Sequence, residues 1–178
     1  LRVVRPGLPR IVMGLPAGAP DVWGAERRSS WNATSVMRNM AEVLAGGGQF
    51  NLSPFAGGTA FGALAGRLDI GPDAFTTTNA DASGPLSQAG GRGALYNAVK
   101  RVCTFASSFE RVLGGLDPDA QPVTIAPDAT TTALVDEGTG AREPKRPAGG
   151  ANMTVCHARG AQGSIAFVFA DAEAGSKR

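Results

Sequence analysis

Apolar and polar positions recur along this chain with two periods, and each period predicts its own elements. Between residues 94 and 113, Leu95, Val99, Val102, Ala106, Phe109 and Leu113 follow one another at steps of three and four, which keeps them on one face of an α-helix. Lys100, Arg101, Ser107, Ser108, Glu110 and Arg111 fall mostly on the opposite side, and Gly114 and Gly115 close the pattern. The spacing predicts a central helix over 94–113, about 30 Å long. Its stripe reads first as a core face. Leu95, Val99, Val102, Phe109 and Leu113 are also the candidates for an interface with another subunit.

A second helical pattern covers 30–48, where Val36, Met37, Met40, Val43 and Leu44 repeat, Ser30 or Asn32 caps the start and three glycines stop it. Trp23 and Trp31 flank its entrance and are expected to staple it to the core. From 59 to 68, Phe61, Leu64, Ala65 and Leu68 share a face, but Gly58, Gly62 and Gly66 weaken any helix there by about 1 kcal/mol each. A short helix and a glycine-rich loop are both consistent with that stretch.

The period then changes to two. Residues 122–125 and 130–135 have the β-branched content of short strands. Met153, Val155 and His157 alternate with Thr154, Cys156 and Ala158, and Ile165, Phe167 and Phe169 alternate with Ala166, Val168 and Ala170. This predicts a C-terminal hairpin over 153–170, joined through 159–163, with the Phe167 and Phe169 face against the helices. The fold class expected is α+β: two or three helices around the central one, the hairpin, and much irregular structure. In chain order that gives an extended proline-rich arm over 1–29, a helical core over 30–136 with a long loop at 71–93, a flexible loop over 137–150, the hairpin within 151–170 and a tail over 171–178.

Composition sharpens the irregular part. The 178 residues include 25 glycines and 12 prolines, and only 18% are charged, so much of the backbone is turn and loop. A net charge of +2 gives no global field for nucleic acid or an anionic membrane. No apolar run approaches the length of a membrane span. Residues 1–20 carry Arg2, Arg5 and Arg10 and no acid, a composition found at processed organelle or virion proteins and in arms that lie on a partner.

Candidate chemistry is sparse. The chain has one histidine, one tyrosine and two cysteines. Cys156 and His157 are adjacent, so in a strand they point to opposite faces and do not form one dyad. Cys103 beside the apolar stripe reads as an inert, buried thiol, and Cys103 with Cys156 is the one pairing available for a disulfide. Two cysteines and one histidine fall short of a structural zinc site. The glycine clusters lack the strand and lysine of a phosphate-binding loop, so no cofactor, metal or catalytic residue is expected. These features favour a non-enzymatic structural subunit of a larger assembly, a viral coat protein or an accessory subunit of an organellar complex, with arms and loops ordered by neighbouring subunits. The interface would comprise the helix stripe with Arg2, Arg5 and Arg10. Two alternatives stand beside it: a small enzyme or ligand-binding domain using a cysteine with His157, and an RNA-binding protein using the arginine pairs at 27–28, 100–101 and 145–146.

Overall fold

The computed structural model describes residues 8–24, 31–68, 74–79, 84–125 and 152–170. Within them the chain is α+β, with three helices and a C-terminal antiparallel sheet. The first strand, β1 (Ile11–Leu15), precedes helix α1 (Ala33–Ala45) and strand β2 (Gln49–Leu52). β1 and β2 pair in parallel, Ile11 opposite Gln49 and Val12 opposite Phe50. Parallel neighbours need a crossover between them, and α1 is that crossover. The register shifts between Val12 and Leu15, where Gly14 takes φ 68°, a conformation that costs glycine little inside a bulge.

Helix α1 forms where its periodicity predicts it. Asn32 is the cap, its Oδ1 accepting the Thr34 N–H at 2.9 Å, and the glycines at 46–48 end it. Val36 and Met40 are fully buried and cluster with Ala17, Val99 and Val102, while Leu15, Trp31, Met37, Leu44, Phe50, Leu52 and Leu95 pack around them. Burying a side chain such as Met40 stabilises the fold by roughly 1.5–3 kcal/mol. α1 touches β2, the next helix and the C-terminal sheet. The core is therefore gathered around α1 rather than around 94–113.

Helix α2 (Ala94–Ser108) covers most of the expected central helix, but Phe109 leaves helical geometry at φ −111° and ψ 18°, and a separate short helix α3 (Glu110–Gly114) follows. The stripe is split accordingly. Val99 and Val102 are buried, whereas Phe109 is exposed. Phe105 stands between Phe109 and the sheet, its ring 5.1 Å from that of Phe109 and 6.1 Å, edge-on, from that of Phe167.

Four strands make the second sheet: β3 (Asp117–Pro118), β4 (Val123–Ile125), β5 (Met153–Gly160) and β6 (Gly163–Ala170). β6 runs along one edge of β5, and β4 and β3 share the other, all antiparallel. Gly160 pairs with Gly163, so two residues make the turn where five were expected. Phe169 is buried, and the Arg38 guanidinium lies 5.5 Å from its ring. The alternating pattern therefore put the correct face on the helices.

Several expectations meet a different structure. Of the two forms open to residues 59–68, the glycine-rich loop is the one present, with a single 3₁₀ turn at Phe61–Ala63 and Phe61 98% exposed. Trp31 packs on the core, but Trp23 is 65% exposed and does not staple α1. Arg2, Arg5, the strand expected at 130–135, the loop over 137–150 and the tail over 171–178 lie outside the described residues.

Candidate functional site

Two places bring polar side chains together, one at each end of the parallel pair. At the amino ends of β1 and β2, the Arg10 guanidinium donates to the Gly46 carbonyl at 2.7 Å and lies 4.0 Å from the Asp117 carboxylate. Beside it opens a cleft of about 250 Å³ lined by Glu42, Ala45, Gly46, Pro118, Asp119, Gln121, Pro122, Cys156 and His157. The histidine is fixed from two sides. Arg159 Nε donates to His157 Nδ1 at 2.8 Å, Arg159 also reaches Asp119 at 3.2 Å, and the Asp119 N–H donates to the His157 carbonyl at 2.8 Å. His157 Nδ1 also lies 3.4 Å from the Asp119 carboxylate. Glu42 is held by Arg38 at 2.7 Å, one helical turn away.

The opposite end is built by the loops that follow the two strands. Their backbones are tied to one another by short bridges. The Trp23 N–H donates to Phe75 O at 2.8 Å and Thr77 N–H to Asp21 O at 2.9 Å, joining the segment after β1 to residues 74–79. The Ala60 N–H donates to Thr78 O, Gly57 N–H to Leu86 O and Leu86 N–H to Phe55 O, at 2.8, 2.7 and 3.0 Å, fastening the segment after β2 to the same region. Thr76 N–H and Leu68 N–H complete the set through Gly66 O and Ala74 O. The described parts of the long loop expected at 71–93 are thus ordered by the chain's own backbone, because its glycines and threonines find ladder partners within it. Ligand sites in parallel α/β arrangements lie at the carboxyl ends of the strands, while the amino ends serve stability. The bridged loops stand at the carboxyl ends of β1 and β2, and the histidine cleft at their amino ends.

The residues singled out in the sequence are scattered across this frame. Leu95, Val99 and Val102 belong to the core around α1, Leu113 is half-buried and Phe109 exposed. Arg10 is bound to its own chain at Gly46. Cys103 and Cys156 are free thiols, Cys103 on the exposed side of α2, and the partial burial around Cys103 pushes its pKa up. Asp21, Trp23, Arg67 and Phe75 carry no periodic signal in the sequence: the apolar run IVMGL does not alternate, and the β-branched TTT at 76–78 is too short to define a period. Among the described residues, no group of three or more His, Cys, Asp or Glu side chains could hold a metal, and no helix is long and apolar enough to cross a membrane.

The class these elements define is α+β: a helix-crossed parallel pair with bridged loops at its carboxyl ends, beside an antiparallel sheet. Comparison makes the class particular. Residues 1–106, more than half of the chain, match the family described as Glycosyl hydrolases family 35, and the chain belongs to that family. It is 28% identical over 142 residues to "Beta-galactosidase-1-like protein" of Mus musculus, an alignment covering 76% of this chain and 21% of that relative. The chain spans about a fifth of the length of this curated relative. No solved structure matches it. Family membership overturns the expectation of a non-enzymatic structural subunit, whether coat protein or accessory subunit of an organellar complex: the chain is kin to glycosidases. The excess of loop that suggested such a subunit is, in its described parts, the bridged layer on the strand ends.

Proposed function

We propose that this chain is part of a glycosidase that hydrolyses β-galactosides, with the loops at the carboxyl ends of β1 and β2 forming one wall of the sugar site. The observation that carries this is the family match over residues 1–106, which takes in β1, α1, β2 and the bridged loops together. The substrate class follows the name of the mouse relative.

The chemistry constrains what these residues do. Glycoside hydrolysis uses a pair of carboxyl groups, one protonating the leaving oxygen and the other acting as nucleophile or as base toward water. Residues 16–20 and 53–60, directly beyond β1 and β2, contain no Asp or Glu. Glu42 sits at the amino ends, engaged by Arg38, and Asp21 is the described carboxylate on the ligand side. In this reading β1 and β2 hold and orient the sugar, and the reacting pair is completed from other strands of the same sheet.

The test is hydrolysis, by the purified protein completed with the strands that carry the reacting pair, of nitrophenyl β-D-galactopyranoside beside the α-galactoside and the β-glucoside. Release of nitrophenol from the β-galactoside in preference to the other two is the expected result. Equal rates on all three, or none above the buffer blank, would overturn the reading.

A further inference from the structure

The bridges at the ligand end determine more than connectivity. Val22 pairs antiparallel with Thr76, and Arg67 pairs antiparallel with Phe75. The bonds from Trp23 N–H to Phe75 O and from Thr77 N–H to Asp21 O flank the first pair, which puts Trp23 directly across from Phe75 and Asp21 across from Thr77. Directly opposed residues share a face of a pleated sheet, and their neighbours along the strand point the other way. Trp23, Phe75 and Arg67 therefore form one row across three adjacent segments, with Asp21 and Thr77 in the next row on the same face. Val22 and Thr76 lie on the reverse side.

Exposure sets the Trp23 row apart from its neighbours, Asp21 and Thr77 being half-buried. Trp23 is 65% and Phe75 52% exposed, and Arg67 is exposed, whereas Val22 and Thr76 are half-buried. The Arg67 guanidinium lies 6.0 Å from the centre of the Phe75 ring. The row thus presents the exposed Trp23 side chain beside a Phe75 ring that the Arg67 guanidinium overlies, its N–H donors at that end.

We propose that this row, Trp23, Phe75 and Arg67, is a sugar-binding platform that takes the apolar face of a β-galactopyranoside ring and its linked group. The choice of sugar rests on the β-galactosidase reading above; the platform itself rests on the bridge geometry. A pyranose is amphipathic in the required way. In galactose the axial hydroxyl at carbon 4 gathers the C–H groups of carbons 3, 4 and 5 on one side, where they lie flat on aromatic carbon, while the hydroxyls at the ring edge meet the guanidinium and the Asp21 side of the face. Two strand spacings, about 10 Å, separate the ends of the row, leaving room beside the stacked ring for the group it is linked to. The bonds that hold the row are main-chain bonds, so truncating a side chain leaves the platform's backbone in place.

The experiment is saturation-transfer difference NMR on the full 178-residue chain with methyl β-D-galactopyranoside, irradiating the aromatic protons. The expected result is strongest transfer to the protons on carbons 3, 4 and 5, with affinity lowered about tenfold by Trp23→Ala or Phe75→Ala and largely restored by Trp23→Phe. Circular dichroism identical to the parent chain shows that each variant is folded. Saturation spread evenly over the sugar, or unchanged in both alanine variants, overturns the platform and leaves the hydrolysis assay to judge the enzyme. Trp23-dependent transfer to methyl β-D-glucopyranoside but not to the galactoside sustains the platform and overturns the substrate class. Absence of transfer to either sugar overturns the platform.

Discussion

The cysteines show how local surroundings override residue type. Cys103 falls beside the apolar stripe in sequence, which suggests a buried thiol, yet Val99 and Val102 turn inward while Cys103 lies on the outer side of α2. The water it loses to its neighbours still disfavours the thiolate and raises its pKa. The folded chain therefore holds the Cys103 proton more tightly than the unfolded chain does. Any stability this confers is complete below the ordinary thiol pKa and is lost as the pH rises through the raised one. Because the thiolate is the nucleophile, Cys103 in the native chain is expected to react with iodoacetamide more slowly than the same residue in urea-unfolded chain at neutral pH. Mass spectrometry of the tryptic peptide over time measures both rates; a faster native reaction would contradict the shift.

At the scale of elements, legibility followed periodicity. Residues 33–45 and 94–108 announced themselves as helices because several apolar residues recur in each at helical steps, and Met153 to Ala170 as a hairpin because alternation persists over two strands. The parallel pair leaves no such signal, for a physical reason. β1 is a five-residue apolar run without alternation, which a strand shares with any buried segment, and its partner β2 is four residues long. The bridged loops were less legible still, since their order comes from single bridges between segments far apart in sequence, each too short to carry a period. Gly84 shows how closely they fit. It is buried, and a Cβ there would stand 2.9 Å from the carbonyl carbon of Ala56 and from the nitrogen of Gly57. Since that backbone is held by the bond from Gly57 N–H to Leu86 O, it cannot move aside without losing the bridge. Gly84→Ala is expected to destabilise the chain by about 1–3 kcal/mol and to speed hydrogen exchange at Gly57, while amides in the middle of α1 stay protected. Unchanged exchange at Gly57 would mean that the loops are not fastened there.

For the molecule as a whole, β1 poses the sharpest question. Parallel strands are ordinarily covered on both faces and flanked on both edges, yet Ile11, Val12 and Met13 are 46%, 40% and 72% exposed. Among the described residues β1 has one strand partner, β2, and none of them pairs with the main-chain donors and acceptors of its other edge. Such an edge pairs with whatever extended chain it meets. A family 35 relative about five times the length of this alignment has ample further chain for the purpose, and in the glycosidase reading the strands bearing the reacting carboxylates add to this sheet. The 178-residue chain in isolation has only other copies of itself to pair with. It is expected to associate as its concentration rises, and Met13→Lys, which sets a charge on the exposed strand without touching the core around Met40, is expected to suppress that association while leaving the melting temperature of the dilute chain nearly unchanged. Light scattering over a concentration series decides the matter. A parent chain that stays monomeric throughout would show that the exposed strand is already satisfied, and the larger sheet would then have no place to begin.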